Sequence, residues 1–303
     1  MNQLKTFVFV FLFSFSCSFA FAQNYHWWWY EIHQHDGVTP WQDYLIMSPG
    51  YFGPNAFPIP EINQGKIKTN LEVEAALEGH FNSHEHTLNI YNKLFIPIEK
   101  NKIGIILTMV PIEYYAHDTV IRDQRFSRNY EGKGFASGDL YIGTQIQLLR
   151  DYRGWPDVLL GINIRTASGN EFGSARFPDS PGYYFNLSLG KSFAIKNFFF
   201  NALRLYSDFG FYAWQTNLEA HFQNDAFLYG GGIQLNSKAF AITNEVGGLY
   251  GYLNNGDRPI VYRFRLQTVS LKAINFSLQF ENGFHDYNFR SLRFSVFYQI
   301  TKK

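Results

Sequence analysis

Two sets of residues in this chain have the types and spacing to do chemistry. The first is a series of charged and amide side chains that recur at every second position. Lys68, Glu72, Glu74 and Glu78 share one face of the segment 66–81. Arg263, Arg265 and Gln267 repeat the spacing, as do Ser277, Gln279 and Glu281, and then Arg293, Ser295 and Gln299. A surface lined by charges of both signs selects solutes by charge and hydrogen bonding; alternatively, the charges pair with one another and fill the space they face. If the last such segment lies beside the first, Arg293 approaches Glu72 or Glu74. Arg263 or Arg265 likewise meets Glu281 across one pair. The candidate lumen-lining residues are therefore Lys68, Glu72, Glu74, Glu78, Arg263, Arg265, Gln279, Glu281 and Arg293.

The second set is histidine. His33 and His35 flank Gln34, and His80, His84 and His86 cluster further on. In an extended chain His-x-His puts both rings on one side, which brings His84 and His86 within reach of a shared metal. No cysteine supports such a site, and no metal is assigned. If the segment with His33 and His35 stays periplasmic, the two clusters lie on opposite sides of a membrane. Ser83 lies near His80 and His84, as in lipid-modifying outer-membrane enzymes, but a general base must reach its nucleophile. Three residues apart on a strand, His80 and Ser83 point to opposite faces, and adjacent Ser83 and His84 also diverge. The spacing assigns no catalytic residue, calls for no cofactor, and leaves an enzyme as the least favoured reading.

These side chains need strands to position them. In the segment 66–81, Ile67, Thr69, Leu71, Val73, Ala75 and Leu77 alternate with Lys68, Asn70, Glu72, Glu74, Ala76 and Glu78. A period of two is a strand. The run is longer than the usual strand of about 5–6 residues and covers the roughly 9–11 residues that a tilted strand needs to cross a bilayer. Further strands are expected near 86–99, 102–115, 139–150, 157–167, 183–193, 197–212, 226–236, 239–253, 259–270, 274–284 and 289–301. Tight connections fall at 100–101, 151–156, 194–196, 237–238 and 271–273, and longer ones at 116–138, 168–182 and 215–225. Bacterial barrels have short periplasmic turns and longer outer loops, so this alternation places both ends of the strand series in the periplasm. A soluble β-sandwich or jelly roll also alternates, but strand length and loop alternation favour the barrel.

Composition agrees. The chain holds 32 Phe and 20 Tyr in 303 residues, yet its mean hydropathy is slightly negative, as expected where aromatic residues interleave with polar ones around a wet interior. No later run of 18 apolar residues offers a spanning helix. Residues 1–22 read as a signal peptide: a charged start to Lys5, an apolar run over 7–13, and the small-x-small pattern Ala20-Phe21-Ala22 before Gln23. Cys17, the single cysteine, leaves with it, which excludes disulfides, Cys-bound zinc and thiol catalysis in the mature chain. A net charge of +1 signals no basic face for nucleic acid. Residues 23–65 alternate little and hold Trp27-Trp28-Trp29-Tyr30 and Pro58-Ile59-Pro60. They are expected to be a plug or periplasmic contact site, or an interfacial strap with its aromatic residues at headgroup level. Glycines at 230–232 and 247–248 lead into no helix; inside strands they make bends or room for a large neighbour.

One stretch resembles a known family. Gly138-Asp139-Leu140 opens a strand, Pro156-Asp157-Val158-Leu159-Leu160-Gly161-Ile162 follows a tight turn, and Arg165-Thr166-Ala167-Ser168-Gly169-Asn170 precedes a long loop and the aromatic strand from Gly182-Tyr183-Tyr184-Phe185. The order resembles the outer-membrane channel family associated with the meta-pathway of phenol degradation. Thr166-Ala167-Ser168-Gly169 lacks the proline of that family's strand end, and Thr301-Lys302-Lys303 departs from the aromatic terminus common in barrels. The resemblance implies a small uptake channel, with no binding residue carried over.

The expectation is an all-β protein, a transmembrane antiparallel up-and-down β-barrel of about 12 strands over 66–303, with the non-barrel segment 23–65, in the outer membrane of a Gram-negative-type cell. Its expected partners are outer-membrane lipid and small solutes, with oligomeric state left open. The expected function is a passive channel or transporter; the alternative is a structural or partner-binding barrel of an envelope assembly.

Overall fold

The computed structural model describes residues 26–195, 199–269 and 273–300; the expected signal peptide lies outside them. Thirteen strands form: β1 (Leu71–Phe81), β2 (Glu85–Glu99), β3 (Ile103–His117), β4 (Lys133–Ala136), β5 (Tyr141–Leu149), β6 (Asp157–Arg165), β7 (Gly182–Ala194), β8 (Ala202–Leu218), β9 (His221–Asn236), β10 (Phe240–Gly251), β11 (Ile260–Thr268), β12 (Ile274–His285) and β13 (Arg290–Ile300). Each neighbouring pair is antiparallel, and β1 pairs with β13 from Leu71 opposite Ile300 to Phe81 opposite Arg290. That pairing closes a ring of twelve strands. The thirteenth, β4, adds to the upper half of β3, whose lower half pairs with β5. Closure matters because lipid offers no partner for an unpaired backbone group.

The alternation read from the sequence is the in-and-out pattern of this wall. On β1, Glu72, Glu74, Ala76, Glu78 and His80 are buried inside, while Leu77 is 66% exposed on the outside. On β13, Ser291, Ser295 and Phe297 turn inward, and Leu292, Phe294, Tyr298 and Ile300 outward. A closed barrel with an apolar outer face is an outer-membrane fold.

Three boundaries differ from the sequence reading. The first strand begins at Leu71 rather than Lys66: Ile67 turns inward against Phe95 and Leu159, with its N–H donated to Gln147 Oε1 at 2.8 Å. The seventh expected strand, 197–212, is shifted to 202–218. The third is the expected long connection 215–225, where β8 and β9 keep pairing beyond a bulge until Leu218 faces His221. Their shared hairpin is a tall ribbon, because Thr216 and its neighbours find cross-strand partners there. The longer outer connections are 118–140 and 166–181, the first carrying α2 (Thr119–Gln124) capped by Asp118, whose carboxylate accepts from Val120 N at 2.9 Å.

Residues 26–70 thread this barrel from the end that carries the long connections, the outer end in the bacterial-barrel pattern, to the end of the tight turns. The short helix α1 (Trp27–Ile32) packs on the 118–140 connection: Trp29 donates to Phe126 O at 2.9 Å, and Arg122 stacks on Trp28. Trp28 and Trp29 are thus buried against protein, while Trp27 and Tyr30 stay exposed. Burial holds the His33 imidazole below its ordinary pKa, which suits its contact with the Phe126 ring. The chain then seats Leu45, Met47, Phe52 and Phe57 against Tyr212, Trp214, Leu228 and Leu249. Below them it runs in extended, irregular form to Lys66 at the β5–β6 turn.

Two measurements check this architecture. An epitope inserted after Gly37, next to the exposed Val38, is expected to bind antibody on intact cells; detection only after permeabilisation contradicts the outer placement of α1. Leu77→Arg, in the middle of β1, is expected to cost about 2–4 kcal/mol, as for charge on a lipid face near the midplane, measured by denaturant unfolding in lipid vesicles.

Candidate functional site

The interior residues are placed by register. Glu78 stands opposite Arg293, Glu74 opposite Lys93, and Arg263 between Glu245 and Glu281. Directly opposed charges on one face of a sheet pair readily; Glu78 with Arg293 and Arg263 with Glu281 do so, whereas Lys93 turns to a carboxylate outside the wall. Arg293 Nε donates to Glu78 Oε1 at 2.9 Å, with its guanidinium stacked 4.1 Å from the Tyr91 ring centre. Arg263 Nε donates to Glu281 Oε2 at 2.5 Å, and Arg265 Nε to Gln279 Oε1 at 2.8 Å.

Several expected pairings are corrected. Arg293 meets Glu78, not Glu72 or Glu74, because the antiparallel register sets it against Glu78. Glu72 instead accepts from Gln299 at 2.7 Å and pairs with Lys68. Lys68 lies ahead of β1 at the periplasmic mouth, half exposed, rather than on the strand. Of the two arginines on β11, Arg263 takes Glu281 and Arg265 takes Gln279.

The residue that organises the centre was not singled out in the sequence. Glu61, on the irregular chain inside the barrel, accepts from Lys93 Nζ at 2.7 Å, Arg293 NH1 at 2.9 Å and Arg265 NH2 at 3.3 Å. Those cations come from β2, β13 and β11. Around Glu61 the strap is held by side chains of the wall. Arg263 donates to Ile59 O at 2.7 Å and Pro60 O at 3.1 Å, Arg165 to Ala56 O at 3.0 Å, and Arg204 to Gln64 O at 2.6 Å. Pro58 and Pro60 lack an N–H, so this stretch needs donors more than acceptors. Arginine is a donor only. Gly230 completes the fit, since a Cβ there would lie 2.5 Å from Ile62 Cδ1.

A second buried network closes the outer mouth. Arg176, from the 166–181 connection, donates to Glu113 at 2.8 Å, to Thr87 at 3.1 Å and to Glu85, which also binds Arg125 at 2.6 Å. Asn55 of the strap donates to Glu113 at 2.6 Å. The stretch that carries the family resemblance is also brought together: Asp139 Oδ1 accepts from Ser168 N at 2.9 Å and Gly169 N at 2.7 Å. Leu140 is outside β5, which starts at Tyr141.

The histidines separate. His84 Nδ1 pairs with Asp118 Oδ2 at 2.7 Å, while His86 lies beside Tyr114 on the outer face. His33 and His35 are at the outer end too, with the His80 cluster, because the strap enters from that side. Among the described residues no group of three His, Cys, Asp or Glu side chains is placed to hold a metal. His80 faces inward, away from Ser83, and bonds Ser291 Oγ at 2.7 Å. Its Nε2 finds no hydrogen-bond partner, the nearest carboxylate oxygen, on Glu78, being 3.6 Å away. That imidazole borders a cavity of about 140 Å3 between strap and wall, lined also by Glu61, Lys93, Tyr91, Arg293 and Tyr287.

No protein-family model matches the chain, and no curated protein matches it in sequence. Solved structures do match in fold. The crystal structure of an outer-membrane channel from Pseudomonas putida F1 aligns over 79% of this chain and 100% of its own, at 9% identity and a TM-score of 0.53. The NanC porin aligns over 76% of this chain and 100% of its own, at 14% identity and a TM-score of 0.46. The KdgM porin covers 75% of this chain and 99% of its own, at 11% identity and 0.45. The likeness is one of fold, that of outer-membrane barrels.

Removing Arg263 leaves Glu281 and two strap carbonyls without their donor. Arg263→Ala is expected to lower stability by about 3–5 kcal/mol, the usual loss on breaking a buried ion pair. Arg263→Ala with Glu281→Ala should recover part of it in an equilibrium-unfolding double-mutant cycle.

Proposed function

We propose that this protein is an outer-membrane channel for small polar solutes, closed at rest by its own strap, residues 45–65. The observation that carries the reading is the way the strap is held. It is no strand of the ring: side-chain donors, charge pairs and apolar packing keep it in place, and the wall's backbone ladder closes without it. The strap can therefore leave, or part of it shift, with no pair of the ring's strand ladder broken; its backbone bonds, Gly50 N to Gly256 O and Gly53 N to Ala175 O, run to connections between strands. The cavity of about 140 Å3 beside Glu61 adds support, since the strap fills the lumen incompletely. So does the lining, where charges of both signs suit a path for hydrated polar solutes. The stretch from Gly138 to Tyr184 supports a place near the channel family associated with the meta-pathway of phenol degradation, and that narrower assignment is part of the proposal.

A second reading, a structural or partner-binding barrel with a permanently filled lumen, is favoured by one observation. The strap is tied to β2, β3, β5, β6, β8, β9, β11 and β13, more anchoring than a freely moving plug needs.

Planar-bilayer recording separates the two. The full-length protein is expected to show brief, small openings, and a chain lacking residues 26–60 a steady conductance. Absence of ion flux through both, with the deleted protein still folded by its heat-dependent gel mobility, would discard the channel.

A further inference from the structure

The three cations around Glu61 belong to the wall, whereas the carboxylate belongs to the strap. Lys93, Arg265 and Arg293 project from β2, β11 and β13 and converge on one carboxylate group. Two of the three cations are held in place without that carboxylate, while the hydrogen bond of Lys93 is to Glu61 itself. Arg293 is fixed by Glu78 and by stacking on Tyr91, and Arg265 by Gln279. Each has N–H groups beyond those bonds, since a guanidinium carries five donors. Take Glu61 away, and the cations keep Glu78 and Glu74 beside them but lose the ligand they share. What remains has the chemistry of a carboxylate receptor, with charge-assisted donors from three directions.

Room for more than a carboxylate lies alongside. The cavity next to Glu61 is bordered by the Tyr91 and Tyr287 side chains and by His80, whose Nε2 makes no hydrogen bond and has the Glu78 carboxylate 3.6 Å away. Buried polar atoms ordinarily have partners, so a ligand with hydroxyl groups would satisfy that nitrogen.

We propose that Glu61 is a tethered stand-in for the solute: a small hydroxylated carboxylate binds Lys93, Arg265 and Arg293 in its place and thereby frees the lower strap. The proposal rests on the channel reading for its consequence, release of the strap, but not for the site itself. The division of the strap fits this exchange. Its upper part is anchored by Leu45, Met47, Phe52 and Phe57 in the apolar cluster. Its lower part has the Ile59 cluster with Val261, Tyr287 and Phe289 and several polar contacts, of which an anion competes with those of Glu61. Displacement then moves residues 59–65 and leaves 45–57 seated.

The test uses the full-length protein with sodium glucuronate, acetate and glucose. Calorimetry in detergent reads the site. Glu61→Ala vacates it and is expected to bind glucuronate, and acetate more weakly, with no heat from glucose. Arg293→Gln added to Glu61→Ala is expected to weaken glucuronate binding about tenfold or more, as for loss of a charged hydrogen bond. Glu61→Gln, which keeps the volume filled, serves should Glu61→Ala fail to fold: it is expected to bind glucuronate more weakly than Glu61→Ala but more tightly than wild type. Bilayer recording then reads the gate, with wild-type open time rising in glucuronate and unchanged in glucose. A folded Glu61 variant that binds neither anion, or that binds glucose equally, overturns the inference and leaves the channel reading to the deletion experiment. Binding without any flux supports the carboxylate site and removes the gating role.

Discussion

A wall that faces lipid on one side must send its polar side chains to the other, and the rest of this structure depends on that constraint. Twelve strands satisfy their backbone groups by closing on themselves. Their outward positions are given to Leu, Ile, Phe and Tyr. The glutamates, arginines and lysines are thus concentrated in a narrow interior, where a lone charge is costly and a paired one tolerable. Cross-strand register neutralises most of them locally, as in Glu78 with Arg293 and Arg263 with Glu281.

The strap completes that neutralisation and receives its own support in return. Its extended, proline-containing stretch cannot form a ladder inside the barrel, so its carbonyls depend on arginine side chains of the wall. Glu61 binds three cations that the wall sends inward, Lys93, Arg265 and Arg293. The dependence is mutual, which explains why an irregular segment is so well placed without being part of the sheet. Its two halves are held by different forces. Apolar packing dominates in the upper half; in the lower half the ion pairs of Glu61 add to the Ile59 cluster and to arginine donors.

This arrangement also gives the outer end its character. The strap enters from outside, so α1, the 118–140 and 166–181 connections and the Arg176 network are packed together into one cap. The Asp139 contact with Ser168 and Gly169 ties two of those connections at the base of the cap. The Thr166–Gly169 stretch lacks the expected proline, yet its backbone N–H groups find a defined partner there.

The sequence by itself determined the barrel: period-two alternation separates lipid from lumen side by side chain, a local property that needs no knowledge of neighbours. Strand number and the inward set from Glu72 to Arg293 followed from it. Edges were less legible. Lys66–Asn70 alternate as well as a strand does, but Ile67 is drawn inward by Phe95 and Leu159, and the 215–225 segment reads as a loop although its cross-strand partners zip it. Which charge meets which was decided only by register, a relation between strands that no single strand encodes. Glu61 was beyond reach for the same reason. It sits in a stretch with no periodicity, and its role comes from three cations distant in sequence that closure of the barrel brings to one point.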